Sequence, residues 1–415
     1  MSNIARATRT ASHRTVRFVV DFRWTLLGLA VVTVGIVSMF ATISQWVLVV
    51  EAVFSVVLLA LEVRKNLRES RRTTFLQRPN ERFEDVVERL AGAENVRVLE
   101  MRSGVFVRDR LVSDRMRSPE QFVRLSKQPY VVPEQLRPQA RRFLKYVLAN
   151  HPGRFNGPCI GWNTDFSDPN WGAGDVEAVV GDHFRFVQSD ELAMWDVELD
   201  GRVLPEFGRS LFVRRGGDVR NFRDSWLFNL IGASTVAITT DGRLVVTQQS
   251  AANMASRNML APSGSGSAEP KDFRGADRLV LAQLAINTAT RELTEETGIA
   301  AGEVEWSSLL GFGRWLDKAA RGELLCVTFL NIDSHTVERK RIHRAERIYT
   351  TRSRAVRFAQ RVGEWSPARP EKLLPEEYRS RMSVPLGAAL SLLAEEAGLP
   401  DSPVRERITR LPIGP

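Results

Sequence analysis

The amino-acid sequence of this 415-residue chain predicts an α/β fold for its C-terminal half and a membrane-spanning segment near its N-terminus. Three observations support this prediction: an N-terminal tract without charges, a β-hairpin pattern, and a helix that ends in clustered glutamates. Strand and helix patterns that alternate along a chain are typical of α/β domains. We therefore expect a globular α/β domain that is tethered to a bilayer.

The N-terminal tract has no charged side chain over residues 24–50, and the apolar run resumes after Glu51. One helix needs about 20 apolar residues to cross a bilayer, so the tract is long enough for two short helices. We expect a transmembrane helical hairpin over residues 22–63, with helices near 22–42 and 46–63. One tilted helix over the first tract and a buried soluble hairpin are the alternatives.

Basic residues flank this tract on both sides, which favours a hairpin with both ends in the cytoplasm. The first 72 residues carry ten Lys/Arg and four Asp/Glu, a net charge of +6, whereas the whole chain carries +9. Most of the basic excess therefore lies where it suits anionic lipid headgroups, not nucleic acid. The pattern predicts a multi-pass protein of the inner (cytoplasmic) membrane whose C-terminal domain is cytoplasmic and whose membrane partner is lipid. Gly28 and Gly35 would allow hairpins to associate into a homo-oligomer.

The region between the membrane tract and the C-terminal domain has mixed patterns. We expect helices over 64–77, 81–93 and 133–150, and a hairpin of strands 176–180 and 183–188 around Gly181-Asp182. The predicted segments are a basic N-terminus (1–21), the transmembrane hairpin (22–63), a juxtamembrane helical linker (64–119), an α+β region (120–230), the α/β domain (231–400) and a C-terminal tail (401–415).

The α/β domain begins with a predicted β-hairpin over 234–249, whose β-branched residues alternate on both sides of an Asp-Gly turn. A helix over 282–297 follows, and then a buried strand over 324–332. A closing helix over 383–398 has Pro385 near its first turn and ends in glycine.

The helix over 282–297 ends in the stretch Arg291 to Ile299, which places three carboxylates on one face. Glu292, Glu295 and Glu296 are spaced i, i+3 and i+4. Such close anions repel one another unless a positive group lies between them, and hard divalent cations prefer carboxylate oxygens. We expect these three residues to bind Mg²⁺ or Mn²⁺. Gly298 is predicted to cap the helix, with Ile299 packed back on it.

This stretch resembles the second half of the Nudix box, Arg-Glu-apolar-x-Glu-Glu-x-Gly-apolar. The first half departs from the family pattern, because Gln283 replaces a glutamate and Asp277 replaces a glycine. The usual Pro-Gly-Gly loop is replaced by residues 262–267, and an extra stretch, 268–274, follows. The resemblance implies a Nudix-like α/β/α sandwich with a mixed sheet, and one fewer outer carboxylate for the metal.

The resemblance also implies a function: metal-dependent hydrolysis of the pyrophosphate in a nucleoside diphosphate that is linked to another group. The catalytic residues would be the three glutamates with Arg291, which would orient a carboxylate. The general base stays open between a box glutamate, Glu338 and Glu346. Substrate phosphates would meet Ser263, Gly264, Ser265, Gly266 and Arg344.

Two other functions stay open at this point. The first is a catalytically weak or inactive nucleotide sensor that is coupled to the membrane hairpin, and the second is a peripheral RNA-binding or decapping protein. The basic run over 339–361 is interpreted either as a solvated helical face or as a set of phosphate contacts. Two distant cysteines, Cys159 and Cys326, support neither a disulfide framework nor a zinc site.

Overall fold

A computed structural model describes residues 49–50, 52–61, 64, 73–78, 83–151, 153–166, 171, 174–204, 206–250, 258–343 and 350–414. This part of the chain is a mixed α/β protein with three β-sheets. The strands are β1 (Thr73–Gln77), β2 (Val96–Met101), β3 (Gly104–Asp109), β4 (Phe122–Leu125), β5 (Pro158–Trp162), β6 (Val176–Asp182), β7 (Trp195–Leu199), β8 (Arg202–Leu204), β9 (Gly232–Ile238), β10 (Leu244–Gln249), β11 (Leu260–Ala261), β12 (Gly264–Ser267), β13 (Arg278–Val280), β14 (Val304–Trp315), β15 (Arg321–Leu330) and β16 (Thr350–Val356).

The helices lie between and beside these strands. They are α1 (Glu84–Leu90), α2 (Arg110–Arg117), α3 (Arg137–Asn150), α4 (His183–Phe186), α5 (Phe207–Ser210), α6 (Leu281–Thr297), α7 (Ser334–Glu338), α8 (Glu376–Arg379), α9 (Val384–Gly398) and α10 (Pro403–Thr409). A five-residue π-helix, Val187–Glu191, continues α4.

The largest sheet has nine strands in the order β11-β10-β9-β15-β14-β3-β2, with β12 paired to β9 and β16 paired to β10. Strands β9 and β15 run parallel at its centre, from the pair Glu323 and Gly232 to the pair Phe329 and Ile238. The other pairs in this sheet are antiparallel. The strands therefore form a mixed sheet.

Helices cover both faces of this mixed sheet. Leu324 of β15 packs in one core cluster with Leu284 of α6, whereas Leu325 packs in another with Leu390 of α9. Because successive side chains of a strand point to opposite faces, α6 and α9 lie on opposite sides. Helix α6, which bears Glu292, Glu295 and Glu296 and is called the carboxylate helix below, is thereby held against one face of the sheet by apolar burial.

Four predicted elements of the α/β domain are confirmed. The hairpin is formed by β9 and β10, with Gly242 of its turn at a φ of +69°. The helix predicted over 282–297 is α6, the buried strand is β15, and the closing helix is α9. Pro385 lies in the first turn of α9, as the pattern indicated, and Ser383 caps the helix.

Four predictions for the preceding region were wrong. Residues 183–188 are helical, because the Asp182 side chain accepts the backbone N–H of Arg185 and so starts a helix in place of a second strand. The helix predicted over 64–77 and the helical linker predicted over 64–119 are wrong where β1, β2 and β3 lie, because β1 pairs with β7, β2 with β3, and β3 with β14. The helix predicted from residue 133 begins only at Arg137, whereas α1 confirms the helix predicted over 81–93.

The predicted transmembrane hairpin falls mostly outside the described residues, and so does its first helix, 22–42. Residues 52–61 are helical. Among the residues that the structure describes, no helix combines the length and the apolar character needed to span a membrane.

We predict that Asp190→Asn lowers the free energy of unfolding by about 2–4 kcal/mol. The buried Asp190 carboxylate accepts the backbone N–H groups of Phe228 (2.9 Å) and Leu230 (2.9 Å), and an amide would turn a donor toward one of them. Denaturant unfolding of the full chain measures the change. Asp114→Asn is the control, because its contact with Arg110 is exposed and 3.6 Å long. Equal losses in both variants would contradict the prediction.

Candidate functional site

The carboxylate helix α6 ends as its sequence predicts. Gly298 adopts a φ of +78°, and its N–H donates to the carbonyl of Thr294 at 3.0 Å. Ile299 is fully buried in a cluster with Leu293. The predicted C-cap is thus confirmed, and it fixes where the last turn of the helix, with its glutamates, stops.

The three glutamates differ in exposure. Glu292 and Glu296 are buried, with 9% and 5% of their surface exposed, whereas the side chain of Glu295 is 32% exposed. Arg291 donates to Glu292 at 2.7 Å and to Glu295 at 3.3 Å. The positive group between these two carboxylates is therefore a guanidinium of the same helix. The hydrogen bonds expected of Arg291 are present, and its role in catalysis stays a prediction.

Arg291 is itself held by Asp272, which the sequence analysis did not single out. Its Nε and one terminal nitrogen donate to the two Asp272 oxygens at 2.8 and 3.0 Å. Arg291 also donates to the carbonyl of Ser267 at 2.8 Å. Although burial lowers the pKa of Arg291, the charges of Glu292 and Asp272 raise it above its ordinary value. The guanidinium is therefore a fixed cation.

Asp272 lies in the stretch 268–274, which resembled a simple insertion relative to the family pattern. The stretch forms a 3₁₀ helix, Pro270–Phe273, in which Asp272 also accepts the N–H of Glu269 at 2.9 Å. A Pro at the first position with an acidic residue two positions later is a capping pattern, and it was the available signal. The insertion thus supplies the carboxylate that positions Arg291.

The Ser/Gly run expected to form a loop is a strand, and this expectation was wrong. Residues 264–267 form β12 because they pair with β9 from Thr235 to Gly232. Ser263 precedes the strand, and its hydroxyl donates to the carbonyl of Val245 at 2.5 Å. These contacts order a segment whose Ser/Gly composition would leave it flexible in isolation.

Strand β12 packs directly on the carboxylate helix through its two glycines. A Cβ at Gly266 would collide with the carboxylate of Glu292, and one at Gly264 would collide with the backbone of Leu293. The N–H of Ser265 donates to Glu296 at 3.2 Å. The glycines are therefore needed for close approach, and one predicted phosphate donor, Ser265 N–H, contacts a glutamate in this structure.

Gln283, where the family pattern has glutamate, points into the same network. Its amide donates to Asn287 at 2.9 Å, and Asn287 donates to the carbonyl of Asp272 at 2.8 Å. The residue thus supports the stretch that holds Arg291. A glutamate at this position would present only acceptors to Asn287, whose oxygen accepts from Gln283 here.

Of the basic residues, Lys271 lies near the site, with its amine 3.6 Å from Glu295 and 3.1 Å from Glu269. Lys340 instead binds Glu303 at 2.6 Å. Residues 341–343 run past the end of α6, where the N–H of His343 donates to the carbonyl of Glu295 at 3.4 Å. Within the predicted basic run, residues 350–356 are strand β16, so a helical face is wrong there.

Three further predicted residues do not contribute to the described part of the site. Arg344, expected to contact phosphate, and Glu346, a candidate base, lie outside the described residues. Glu338 is the last residue of α7.

The donor set was tested for a divalent cation. Within the described ranges, no three His, Cys, Asp or Glu side chains are arranged to hold a metal ion by themselves. Mg²⁺, however, commonly binds one or two carboxylates and completes its shell with water and substrate phosphate. The carboxylate oxygens of Glu292, Glu295 and Glu296 are donors of the required chemical type, so the residues fit a cation shared with a phosphate ligand.

Comparisons with known proteins give no family assignment. No family model and no curated protein matches the chain. Among solved structures, DR0079 from Deinococcus radiodurans is similar at 14% identity and a TM-score of 0.22, over 35% of this chain and 80% of that chain. A TM-score of this size supports no conclusion, so a function must be argued from the side chains.

We predict that Gly266→Ala displaces Glu292 and lowers the free energy of unfolding by about 1–3 kcal/mol, because the new Cβ overlaps the carboxylate. Thermal and denaturant unfolding of the full chain measure the loss. Gly302→Ala is the matched control, since no atom lies within 4 Å of its Cβ position. If the two variants are equally stable, the close packing of β12 on α6 is incorrect.

We also predict that Asp272→Asn lowers the free energy of unfolding by about 1–3 kcal/mol, because the buried Arg291 loses half of a charged fork. The control is Asp175→Asn, which alters a fork of the same geometry with Arg278, whose side chain is 52% exposed against 14% for Arg291. The two variants are compared by their denaturant midpoints, with the same slope of unfolding free energy against denaturant concentration applied to both. A larger loss for the exposed pair would refute the role of Asp272.

Proposed function

We propose that the chain is a membrane-anchored hydrolase of the Nudix type, with a Nudix-like α/β/α sandwich. It would cleave the pyrophosphate of a nucleoside diphosphate that is linked to another group. One observation carries the proposal: three glutamates share one end of α6, two of them oriented by Arg291 and the third by the N–H of Ser265. Arg291 balances part of this negative charge, and the glutamate oxygens are donors of the type that would bind the divalent cation of a metal-bound pyrophosphate.

We assign different roles to the three glutamates according to their exposure to solvent. Glu292 and Glu296 are buried and fixed, so they suit cation binding, whereas Glu295 is accessible to a water molecule. Glu295 is our candidate for the general base because it is the carboxylate that solvent reaches. A bound Mg²⁺ or Mn²⁺ would lower the pKa of a water molecule and neutralise charge on the pyrophosphate.

One of the two cationic side chains at this place, Lys271, favours an anionic substrate. Lys271 is half exposed and its flexible side chain pairs with Glu269 and Glu295, so a phosphate oxygen bound beside Glu295 would lie within its reach. Arg291 is buried and held by Asp272, so its role is to orient Glu292 and Glu295. We propose Lys271, in addition to Arg344, as a phosphate contact.

The membrane anchor is part of this proposal. The described helical residues 52–61 expose apolar side chains to an extent that a water-soluble surface does not favour: Val53 is 58% exposed, Phe54 63% and Leu61 56%. Together with the uncharged tract that precedes them in the sequence, these side chains support attachment to a bilayer.

The second candidate function is a nucleotide sensor that binds without turnover. It is favoured by Gln283, whose amide is tied to Asn287 in the position where the family pattern has a further carboxylate. One fewer carboxylate would weaken cation binding and turnover more than it would weaken contacts with the nucleotide itself.

We predict that the full chain, purified in detergent with Mg²⁺ or Mn²⁺, hydrolyses at least one of UDP-glucose, ADP-ribose, NAD or a dinucleoside polyphosphate. Glu296→Gln should lower turnover by at least about 100-fold, because it removes charge from the cation site. The control is Glu305→Gln, an exposed carboxylate paired with Arg407. Binding of these compounds without turnover would support the sensor, and neither binding nor turnover would refute both candidates.

A further inference from the structure

A buried carboxylate that the proposed chemistry does not use lies behind the site. Glu323 of β15 is fully buried and faces Gly232 of β9, where a Cβ would collide with its carboxylate. One of its oxygens accepts the hydroxyl of Ser234 at 2.6 Å, and the other lies 3.3 Å from Arg321. Burial raises the pKa of Glu323 above its usual range. Burying such a group is costly, so its position requires a reason.

Glu323 is connected to the carboxylate helix by a short path of hydrogen bonds. The hydroxyls of Ser234 and Ser265 are 2.9 Å apart. Because the single proton of Ser234 is directed to Glu323, Ser265 is the donor to Ser234. The backbone N–H of Ser265 in turn donates to Glu296. The path thus crosses three strands, from β15 through β9 to β12, and ends on a proposed metal-binding residue.

In addition to its backbone pairing with β9, β12 is anchored through the hydroxyl of Ser265. Its neighbours Gly264 and Gly266 face α6 and have no side chains with which to hold the strand. Since alternate residues point to opposite faces, Ser265 points away from the helix toward Ser234. A glycine-rich strand has many accessible conformations, so the bond through Ser234 to Glu323 restricts the direction of the Ser265 N–H.

We propose that Glu323 is a positioning residue: as a fixed acceptor for Ser234, it orients Ser265 so that its N–H stays directed at Glu296. The catalytic relevance of this role rests on the proposed function, whereas the positioning itself does not. Glu323 acts from the opposite face of the sheet and does not contact substrate.

Hydrogen exchange of the full chain in detergent, read by mass spectrometry on peptides covering residues 262–268, tests the positioning without any ligand. Glu323→Met removes the acceptor at nearly constant volume, and Ser234→Ala breaks the path at its middle. Each should speed exchange in β12 by roughly three- to tenfold, the effect of losing one hydrogen bond. Glu323→Gln keeps a carbonyl acceptor for Ser234 and should restore the wild-type rate.

The matched control is Thr328→Val. Thr328 and Thr235 form a buried hydroxyl pair, 2.8 Å apart, between the same strands β15 and β9. Its loss should destabilise the sheet to a similar extent and leave exchange in β12 unchanged. Equal acceleration in Thr328→Val, no acceleration in Ser234→Ala, or a Glu323→Gln variant that behaves like Glu323→Met would each overturn the proposal.

If Glu323→Met does not fold, the exchange rate of β12 in Ser234→Ala still decides whether the proposal holds. If the wild type turns over ADP-ribose with Mn²⁺, both disrupting variants should lower kcat by roughly three- to tenfold with little change in KM, since they misdirect a group that acts on Glu296. If the wild type turns over none of UDP-glucose, ADP-ribose, NAD and a dinucleoside polyphosphate, the hydrolase proposal fails while the exchange measurements still judge the positioning role.

Discussion

The charge balance around Arg291 is the constraint on which the rest of the site depends. The side chain is only 14% exposed, yet it lies among four carboxylates, from Asp272, Glu292, Glu295 and Glu269. Buried anions at this density would repel one another, and a fixed guanidinium fork satisfies them in a defined geometry. The last turn of α6 can therefore be acidic without metal. This explains how the fold remains stable while it keeps oxygen donors ready for a cation.

The surroundings of this guanidinium come from parts of the chain that are distant in sequence. The 3₁₀ helix over 270–273 brings Asp272, the glycine strand β12 brings the carbonyl of Ser267, and α6 brings the glutamates. Strand β12 packs so closely on α6 that only glycine fits at two of its positions. The site is thus assembled from three ordered segments, two of which, β12 and α6, are in close contact at Gly264 and Gly266.

Local patterns explain which elements were predictable. The hairpin of β9 and β10 and the helix α6 follow from turn chemistry and helical spacing within the segment itself, so they were found close to their true ends. Residues 183–188 alternate like a strand but form α4 and the π-helix, because Phe184 and Val187 are both buried in one core. Alternation cannot distinguish a strand from a short helix that is surrounded by protein.

The same limit applies to the candidate site. The shared face of Glu292, Glu295 and Glu296 follows from spacing alone, and so does the proximity of Arg291. Asp272 and Glu323 reach the site only through tertiary contacts, and the Ser/Gly composition of β12 resembled a connector until its pairing with β9 was known. The composition of a segment indicates its intrinsic conformational preference, whereas strand pairing also depends on the residues of the neighbouring strand.

The hairpin of β2 and β3 has a consequence for where the protein can be divided. Although these strands lie far upstream of the carboxylate helix, β3 pairs with β14 at Trp315 and Arg314, and the ring of Phe106 packs against Gly313. A fragment that starts after residue 230 would leave this edge of β14 with unpaired backbone groups and exposed aromatic surface, which is a template for aggregation. Strands β2 and β3 thus protect the edge of β14 from solvent, and the proposed catalytic domain is incomplete without them.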